Sequence, residues 1–89
     1  MIVEFDKSFI KSLKRIHEKT ILSRIEKTII ALENAQSFEK IHGLKKLSGY
    51  ASYLRIRIGD YRLGFEKISN KTIRLIIILH RKDIYKIFP

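Results

Sequence analysis

The fold is decided by the stretch Tyr53-Leu54-Arg55-Ile56-Arg57-Ile58-Gly59-Asp60-Tyr61-Arg62, in which apolar and cationic residues alternate up to a glycine. Because successive side chains of a strand point to opposite faces, this alternation predicts a strand over Tyr53–Ile58. The dipeptide Gly59-Asp60 then predicts a tight hairpin turn. Such a strand buries its aliphatic face and presents an aromatic ring and two guanidinium groups to water. It is therefore suited to contact an anion such as a phosphodiester.

Two more strands complete a meander after this turn. The sequence predicts strands over Tyr61–Ile68 and Thr72–His80, separated by a turn at Ser69-Asn70-Lys71. Because the last strand is nearly all aliphatic, we expect it to be central and covered on both faces. We expect the tail Arg81–Pro89 to lie over one edge or face of the sheet.

The first part of the chain predicts a short strand and a short helix. Ile2–Phe5 reads as the strand, and Asp6 is a good N-cap because its carboxylate can accept hydrogen bonds from a first helical turn. Phe9, Leu13 and Ile16 then follow at the spacing of one helical face. This pattern predicts a helix that packs against the sheet.

A second, longer helix is predicted to follow a cap at Thr20 and to end near Asn34. Its apolar stripe consists of Ile21, Leu22, Ile25, Ile29, Ile30 and Leu32, and its polar face carries Arg24, Glu26, Lys27 and Glu33. Residues 35–52 contain the breakers Gly43 and Gly49 and are predicted to form a loop.

The order of elements is therefore β-α-α-β-β-β. This order predicts an α+β fold, in which two N-terminal helices pack on one face of an antiparallel sheet. With 89 residues, the chain is expected to form one domain over residues 1–89.

The composition points to an anionic partner. The chain has 19 Lys and Arg against 9 Asp and Glu, a net charge of +10. Such a charge fits nucleic acid, an acidic protein or an anionic membrane, and the alternative is a surface that is merely soluble and basic. The absence of cysteine excludes disulfides and thiolate metal sites, and His17 and His42 show no ligand spacing. We expect no metal and no cofactor.

Neither a signal peptide nor a membrane span is indicated. The N-terminal segment carries charges and lacks an apolar core region, and the longest apolar run, Leu75–Leu79, is too short to cross a bilayer. We expect a cytoplasmic protein without a membrane partner.

The candidate site gathers cations from several segments. If Tyr61, Leu63 and Phe65 face the helices, Arg62 joins Arg55 and Arg57 on the opposite face, where Gly64 leaves a shallow depression. We expect these arginines to cluster without carboxylate partners, so they could hold neighbouring phosphates. The alternative is an ordinary solvated face with scattered arginines.

The C-terminal segment supplies the other candidates. Arg81 follows directly on the last strand, and Tyr85 could return over the open face to stack on a base. His80 has a near-neutral reference pKa and could move a proton. The alternatives are a salt bridge from Arg81 to Asp60 or Asp83, a structural His80, and a Tyr85 that anchors the tail.

The sequence resembles the RelE toxins of bacterial and archaeal toxin–antitoxin systems, within the wider RelE/ParE superfamily. Three segments carry the resemblance: Leu44-Lys45-Lys46-Leu47-Ser48-Gly49, Tyr53–Arg62 and His80-Arg81-Lys82-Asp83-Ile84-Tyr85. It implies cleavage of messenger RNA in the ribosomal A site, by attack of the RNA's own 2′-hydroxyl on the adjacent phosphate. It also implies a cognate antitoxin in a hetero-oligomer, and contacts with messenger and ribosomal RNA.

Carried over to this chain, the resemblance implies roles for particular residues. The catalytic candidates are Arg57, Arg62, Arg81, Tyr85 and His80, and the nucleic-acid-binding candidates are Arg55, Arg57, Lys45, Lys46 and Lys82. Where the best-studied family pattern has lysines, this chain has Arg55 and Arg57, and arginine cannot act as a base. Either electrostatics and alignment suffice or His80 takes part.

Two other functions remain open at this point. A ParE-like toxin that poisons DNA gyrase would share the layout without nuclease activity, and a degenerate family member would only bind nucleic acid.

Overall fold

The computed structural model describes residues 1–41, 44–46 and 52–88, without the side chains of residues 39 and 44–46. In chain order the elements are β1 (Ile2–Phe5), α1 (Lys7–Lys14), α2 (Lys19–Asn34), a 3₁₀ turn (Phe38–Lys40), β2 (Leu44–Lys46), β3 (Tyr53–Ile58), β4 (Tyr61–Lys67), β5 (Thr72–His80) and α3 (Arg81–Ile87). The strands form one sheet in the order β1-β5-β4-β3-β2. The predicted fold class, with two N-terminal helices before a meander, is confirmed.

The meander follows the predicted bounds closely. The predicted limits of β3 and β5 are confirmed, and β4 ends one residue early, at Lys67. The turn between β3 and β4 is made by Gly59, whose φ of 59° suits glycine because it lies in the left-handed region. The sheet is mixed rather than wholly antiparallel, because β1 pairs with β5 in parallel, starting with Ile2 opposite Thr72.

The loop predicted over residues 35–52 is wrong in part. Phe38–Lys40 forms a 3₁₀ turn, and Leu44–Lys46 adds a strand antiparallel to β3, with Leu44 opposite Ile56. A strand of three residues is too short to show a period in the sequence, and the edge of β3 supplies its hydrogen-bond partners. His42, Gly43 and Gly49 lie outside the described residues.

The two helix starts differ in how well the sequence predicted them. The N-cap at Asp6 is confirmed: its Oδ2 accepts hydrogen bonds from the Ser8 backbone N–H at 3.1 Å and from the Ser8 hydroxyl at 2.6 Å. These two bonds lower the pKa of the Asp6 carboxyl. The cap at Thr20 is wrong, because α2 already begins after Glu18, whose carbonyl accepts from the Leu22 N–H at 3.0 Å.

Each face of the sheet has its own apolar cluster. Against α1 and α2 lie the buried side chains Phe9, Ile16, Ile21, Ile25, Leu32, Leu54, Ile56, Ile58, Leu63, Phe65, Ile73, Leu75 and Ile78. On the other face α3 buries Ile84 and Phe88 against Tyr53, Ile76, Ile77 and Leu79. The expectation that β5 is central and covered on both faces is confirmed.

None of the described helices combines the length and the apolar composition that a membrane span requires.

A bulge interrupts the pairing of β4 with β5. Phe65 lies opposite Leu75, whereas Gly64 lies opposite Ile77, so Ile76 is an extra residue on β5. A bulge of this kind shifts the alternation of faces by one residue for the rest of the strand.

The shift is visible in the burial and hydrogen bonding of β5. Ile78 is only 1% exposed in the helix-side core, while Ile77 and Leu79 pack towards α3. Two serines of α1 satisfy backbone groups around the bulge: the Ser8 hydroxyl donates to the carbonyl of the extra residue, and the Ser12 hydroxyl accepts from the Ile78 N–H at 3.0 Å. The bulge is thus fastened to α1.

Candidate functional site

Three arginines of the β3–β4 hairpin share the face that α3 covers in part. Arg57 lies directly opposite Arg62, and Arg62 lies opposite Leu79, which packs towards α3. Residues paired in this way have Cα atoms about 4.5–5.5 Å apart. Arg55 lies two residues before Arg57 and therefore on the same face. The prediction that these three arginines share one face of the sheet is confirmed.

Arg62 is held beside the hairpin turn by its own guanidinium. Its Nη1 donates hydrogen bonds to the carbonyl oxygens of Gly59 and Tyr61, both at 2.9 Å. Nε and Nη2 form no hydrogen bond within the described part of the chain, so three of the five N–H donors are available to a ligand.

Arg81 reaches the same turn from the end of β5. Its backbone N–H donates to the carbonyl of Asp60 at 2.8 Å, and its residue is exposed. Among the described residues, Arg81 makes no ion pair with Asp60 or Asp83, and the ion pair that does form, Arg74 with Glu4 at 3.0 Å, involves none of the candidate arginines. The salt bridge considered as an alternative role for Arg81 is therefore absent here.

The bulge decides which of the two neighbours, His80 or Arg81, lies on the arginine side. With strict alternation from Leu75, His80 would fall on the arginine side and Arg81 on the helix side. Because of the bulge, His80 instead lies opposite Tyr61, with the two rings 5.6 Å apart. Its Nδ1 accepts the Lys82 N–H at 3.2 Å and caps α3. The expectation that His80 completes the arginine site is wrong in its geometry.

Helix α3 is anchored over this face through Phe88. Phe88 packs edge-on against Tyr53, with ring centroids 5.4 Å apart. A Cβ atom added at Gly64 would lie 2.8 Å from the Phe88 ring. The depression predicted at Gly64 is therefore filled, and the glycine is required because an aromatic ring sits directly on the backbone.

Tyr85 lies over the arginine face, as the sequence analysis expected. Its ring centroid is 4.6 Å from the guanidinium carbon of Arg55, in a cation–π contact, and the residue remains 63% exposed. Tail anchoring, the alternative for Tyr85, is done by Ile84 and Phe88.

The lysine candidates lie on α3 and on β2, the two elements next to the arginines of β3 and β4. Lys82 is exposed in the first turn of α3. The backbones of Lys45 and Lys46 pair with Arg55 and Leu54, and their side chains lie outside the described residues.

The sequence analysis missed a row of cations along α2. A Cβ atom at Gly59 would lie 2.8 Å from Nη1 of Arg24, so that guanidinium touches the hairpin turn from the helix side. Lys27 lies one turn further along, beside a cavity that it shares with Lys40 and Arg57. The spacing of Arg24 and Lys27 along one helix face was the available signal.

These cations define what the site can do chemically. Guanidinium groups donate several hydrogen bonds in a fixed geometry that matches phosphate oxygens, but they cannot take up a proton. Among the described residues, no three His, Cys, Asp or Glu side chains are grouped so that they could hold a metal ion. The site therefore offers phosphate binding and stabilisation of negative charge.

Comparison with known proteins gives consistent matches over most or all of the chain. The family described as the ParE toxin of the type II toxin–antitoxin system parDE matches residues 3–85. Toxin RelE3 of Methanocaldococcus jannaschii is 41% identical over 90 residues, which cover all of both chains.

Solved structures match over most of the chain. A chain of the RelB–RelE antitoxin–toxin complex from Methanococcus jannaschii has a TM-score of 0.80 at 40% identity, covering 97% of this chain and 99% of that one. The isolated Escherichia coli RelE toxin has a TM-score of 0.70 at 19% identity, over 94% and 89% of the two chains, which is a likeness of fold alone.

Proposed function

This chain belongs to the RelE toxins of type II toxin–antitoxin systems, within the RelE/ParE superfamily, and on that premise we propose that it is an endoribonuclease that cuts messenger RNA in the ribosomal A site. It would act in the cytoplasm, where its substrate is translated.

The observation that carries the proposal is the pairing of Arg57 with Arg62. Like charges directly opposite each other on a sheet are destabilising. Here the pair is joined by Arg81 at the same end of the sheet, and no described carboxylate forms an ion pair with any of the three. Such a cluster of cations is favourable when an anion is bound between them, and a phosphodiester is the anion that the family membership suggests.

The proposed reaction is the one that the family resemblance implies. The 2′-oxygen of the RNA forms a bond to the adjacent phosphorus, and the bond to the 5′-oxygen breaks, which leaves a 2′,3′-cyclic phosphate and a 5′-hydroxyl. Negative charge accumulates on the non-bridging oxygens, where Arg57 and Arg62 would stabilise it. Arg81 would support the leaving oxygen, and Tyr85 would stack on a base.

Proton transfer falls to groups other than the arginines. With His80 capping α3 on the helix side of the sheet, the placement favours the alternative in which charge stabilisation and alignment suffice. The proton of the 2′-hydroxyl would then pass to water or to a group of the ribosome, and the 5′-oxygen would regain one from the same source.

The proposal includes a cognate antitoxin. Three of the similar structures are complexes of RelE with RelB, from Methanococcus jannaschii, Pyrococcus horikoshii and Escherichia coli. An acidic partner in a hetero-oligomer would neutralise the net charge of +10.

A gyrase poison is the second candidate function, because the matching family is described by its ParE member. One experiment separates the two: purified protein is added to programmed ribosomes and, separately, to DNA gyrase with supercoiled plasmid. We expect new 5′-hydroxyl ends within the A-site codon and intact plasmid. The Arg57→Ala variant should produce no new 5′-hydroxyl ends and should also leave the plasmid intact. Cleaved plasmid with intact messenger RNA would reject the nuclease.

A further inference from the structure

Ser12 of α1 is the only buried polar side chain among the described residues, with 4% exposure. Phe9, one turn earlier on the same face of the helix, is apolar and fully buried. Alanine has nearly the same volume as serine and is a stronger helix former. Neither core packing nor helix formation therefore requires a hydroxyl group at this position.

The Ser12 hydroxyl is engaged both as a donor and as an acceptor. It donates to the Phe9 carbonyl at 2.8 Å and accepts from the Ile78 N–H at 3.0 Å. Because its single hydrogen is directed into the helix, a lone pair faces β5. The second bond ties the backbone of β5 to α1 two residues after Ile76, the extra residue of the bulge.

The serines of α1 continue a row of hydrogen bonds that β1 begins. β1 pairs with β5 as far as Phe5 opposite Leu75, and the Asp6 N–H then donates to the Leu75 carbonyl at 2.9 Å. Beyond that point α1 has replaced the strand, and the hydroxyls of Ser8 and Ser12 bond the next backbone groups of β5. Serine side chains thus replace a neighbouring strand along the part of β5 that contains the bulge.

The bulge in turn determines where Arg81 lies. Without it, the pairing of β5 with β4 would slip by one residue beyond Leu75, and Arg81 would fall on the helix side. With it, His80 lies on the helix side opposite Tyr61, and Arg81 follows on the arginine side. There the Arg81 N–H donates to the Asp60 carbonyl at 2.8 Å.

We infer that Ser12 is a positioning residue for RNA cleavage, an inference that rests on the function proposed above. Its hydroxyl holds the Ile78 N–H, this bond fixes the bulge, and the bulge presents Arg81 to the leaving oxygen. Since α1 packs on the opposite face from the arginines, Ser12 acts only through the strand. Its loss should slow the chemical step and leave RNA binding nearly intact, because charge develops on the leaving oxygen only in the transition state.

The first test compares Ser12→Ala with Thr28→Ala in the cleavage of messenger RNA on programmed ribosomes. Thr28 is the matched control, because its hydroxyl also donates within its own helix, to the Arg24 carbonyl at 2.8 Å. Ser12→Ala should lower the cleavage rate at saturating toxin about 10–100-fold and change the half-saturating concentration less than about twofold. Thr28→Ala should change neither quantity, and Ser12→Thr, which keeps the hydroxyl, should recover part of the rate.

A double variant decides whether Ser12 acts through Arg81. In an Arg81→Ala background, Ser12→Ala should lower the cleavage rate by less than about twofold, because the group that it positions is already absent. An equal loss in both backgrounds would mean a general loss of structure and would overturn the inference.

The placement of the strand is also measured by NMR without RNA. The rings of Tyr61 and His80 lie 5.6 Å apart, close enough to give nuclear Overhauser contacts. A slip of β5 would carry His80 to the other face and remove them. Ser12→Ala should therefore weaken these contacts and speed the hydrogen exchange of the Ile78 amide, whereas Thr28→Ala should do neither. Ring contacts of full strength in Ser12→Ala would overturn the inference.

Cleavage by the unmodified protein separates this role from the nuclease itself. If the unmodified protein cut no messenger RNA, the nuclease would be rejected, and the NMR comparison would still decide whether Ser12 fixes the strand. Cleavage at the full rate by Ser12→Ala would reject the positioning role alone.

Discussion

The two faces of the sheet are built for different tasks. The face under α1 and α2 buries a continuous aliphatic and aromatic core, whereas the face under α3 has a smaller apolar cluster around Ile84 and Phe88 and also carries Arg55, Arg57 and Arg62. Like-charged arginines placed opposite each other destabilise a sheet. The core under α1 and α2 must therefore supply the stability that offsets the arginine pair on the α3 face. Substitutions on the two faces should therefore separate stability from activity.

The largest effect should follow from Phe65→Ala on the helix face. Phe65 is fully buried, and truncating such a residue costs about 3–5 kcal/mol of the free energy of unfolding. Urea denaturation measures the loss. As the control, Ile87→Ala removes a side chain that is 64% exposed and should change stability by less than about 0.5 kcal/mol. Similar losses in both variants would contradict the difference in burial between Phe65 and Ile87.

On the other face, Arg81→Ala should affect activity far more than stability. Loss of one preorganised donor lowers turnover about 10²–10³-fold, and an exposed side chain contributes less than about 0.5 kcal/mol to folding. Cleavage of messenger RNA on ribosomes and thermal unfolding are measured on the same sample. Lys86→Ala on the same helix is the matched control; an equal loss of cleavage in both would show a general charge effect instead.

Gly64→Ala tests how α3 packs on the sheet, and its effect on stability should lie between those of Phe65→Ala and Arg81→Ala. The new Cβ would meet the Phe88 ring at 2.8 Å, and overpacking of this kind costs about 1–3 kcal/mol. Faster hydrogen exchange in α3 should accompany the loss. Phe88→Leu in the same chain should restore part of the stability; a double variant no better than Gly64→Ala would mean that the clash lies elsewhere.

Tyr85→Ala should have a smaller effect on the docking of α3. The contact of Tyr85 with Arg55 is at an exposed site, where a cation–π pair contributes about 0.5–1 kcal/mol. Hydrogen exchange of the α3 amides reports the change. Tyr85→Phe keeps the ring and should match the unmodified protein, so a loss in that variant would assign the effect to the hydroxyl.

The smallest effect concerns the cap of α1 and depends on pH. Hydrogen bonds from Ser8 lower the pKa of Asp6 in the folded protein, so its stabilisation is present above the unfolded pKa and disappears as the pH falls through the folded pKa. Asp6→Ala should lower the melting temperature at pH 7 and match the unmodified protein in acid. Asp6→Asn keeps a capping oxygen and should stay closer to it at pH 7. A difference that persists in acid would contradict the titration of Asp6.

Patterns of period two predicted most of the sheet. The alternation in Tyr53–Ile58 fixed both the limits of β3 and the face shared by Arg55 and Arg57, because one wrong residue would have placed arginines in the core. The short strand β2 was not predicted. It forms because it pairs with the edge of β3, and its three residues are too few to show a hydrophobic period.

The candidate site was predictable only up to the bulge. Nothing in the aliphatic run Leu75–Leu79 marks Ile76 as an extra residue. The run contains no polar residue whose position would show that the alternation of faces shifts by one residue. The bulge nevertheless exchanges the sides of His80 and Arg81. Likewise, the cavity that joins Arg57 to Lys40 depends on tertiary packing between segments that sequence spacing does not relate.

The parallel pairing of β1 with β5 has a consequence for how the protein is made. Among the described strands, β1 pairs with β5 alone, so it can join the sheet only after β5 has been synthesised. The cationic face is completed by α3, which is translated last. The arginine face is therefore covered only after every strand of the described sheet has been synthesised.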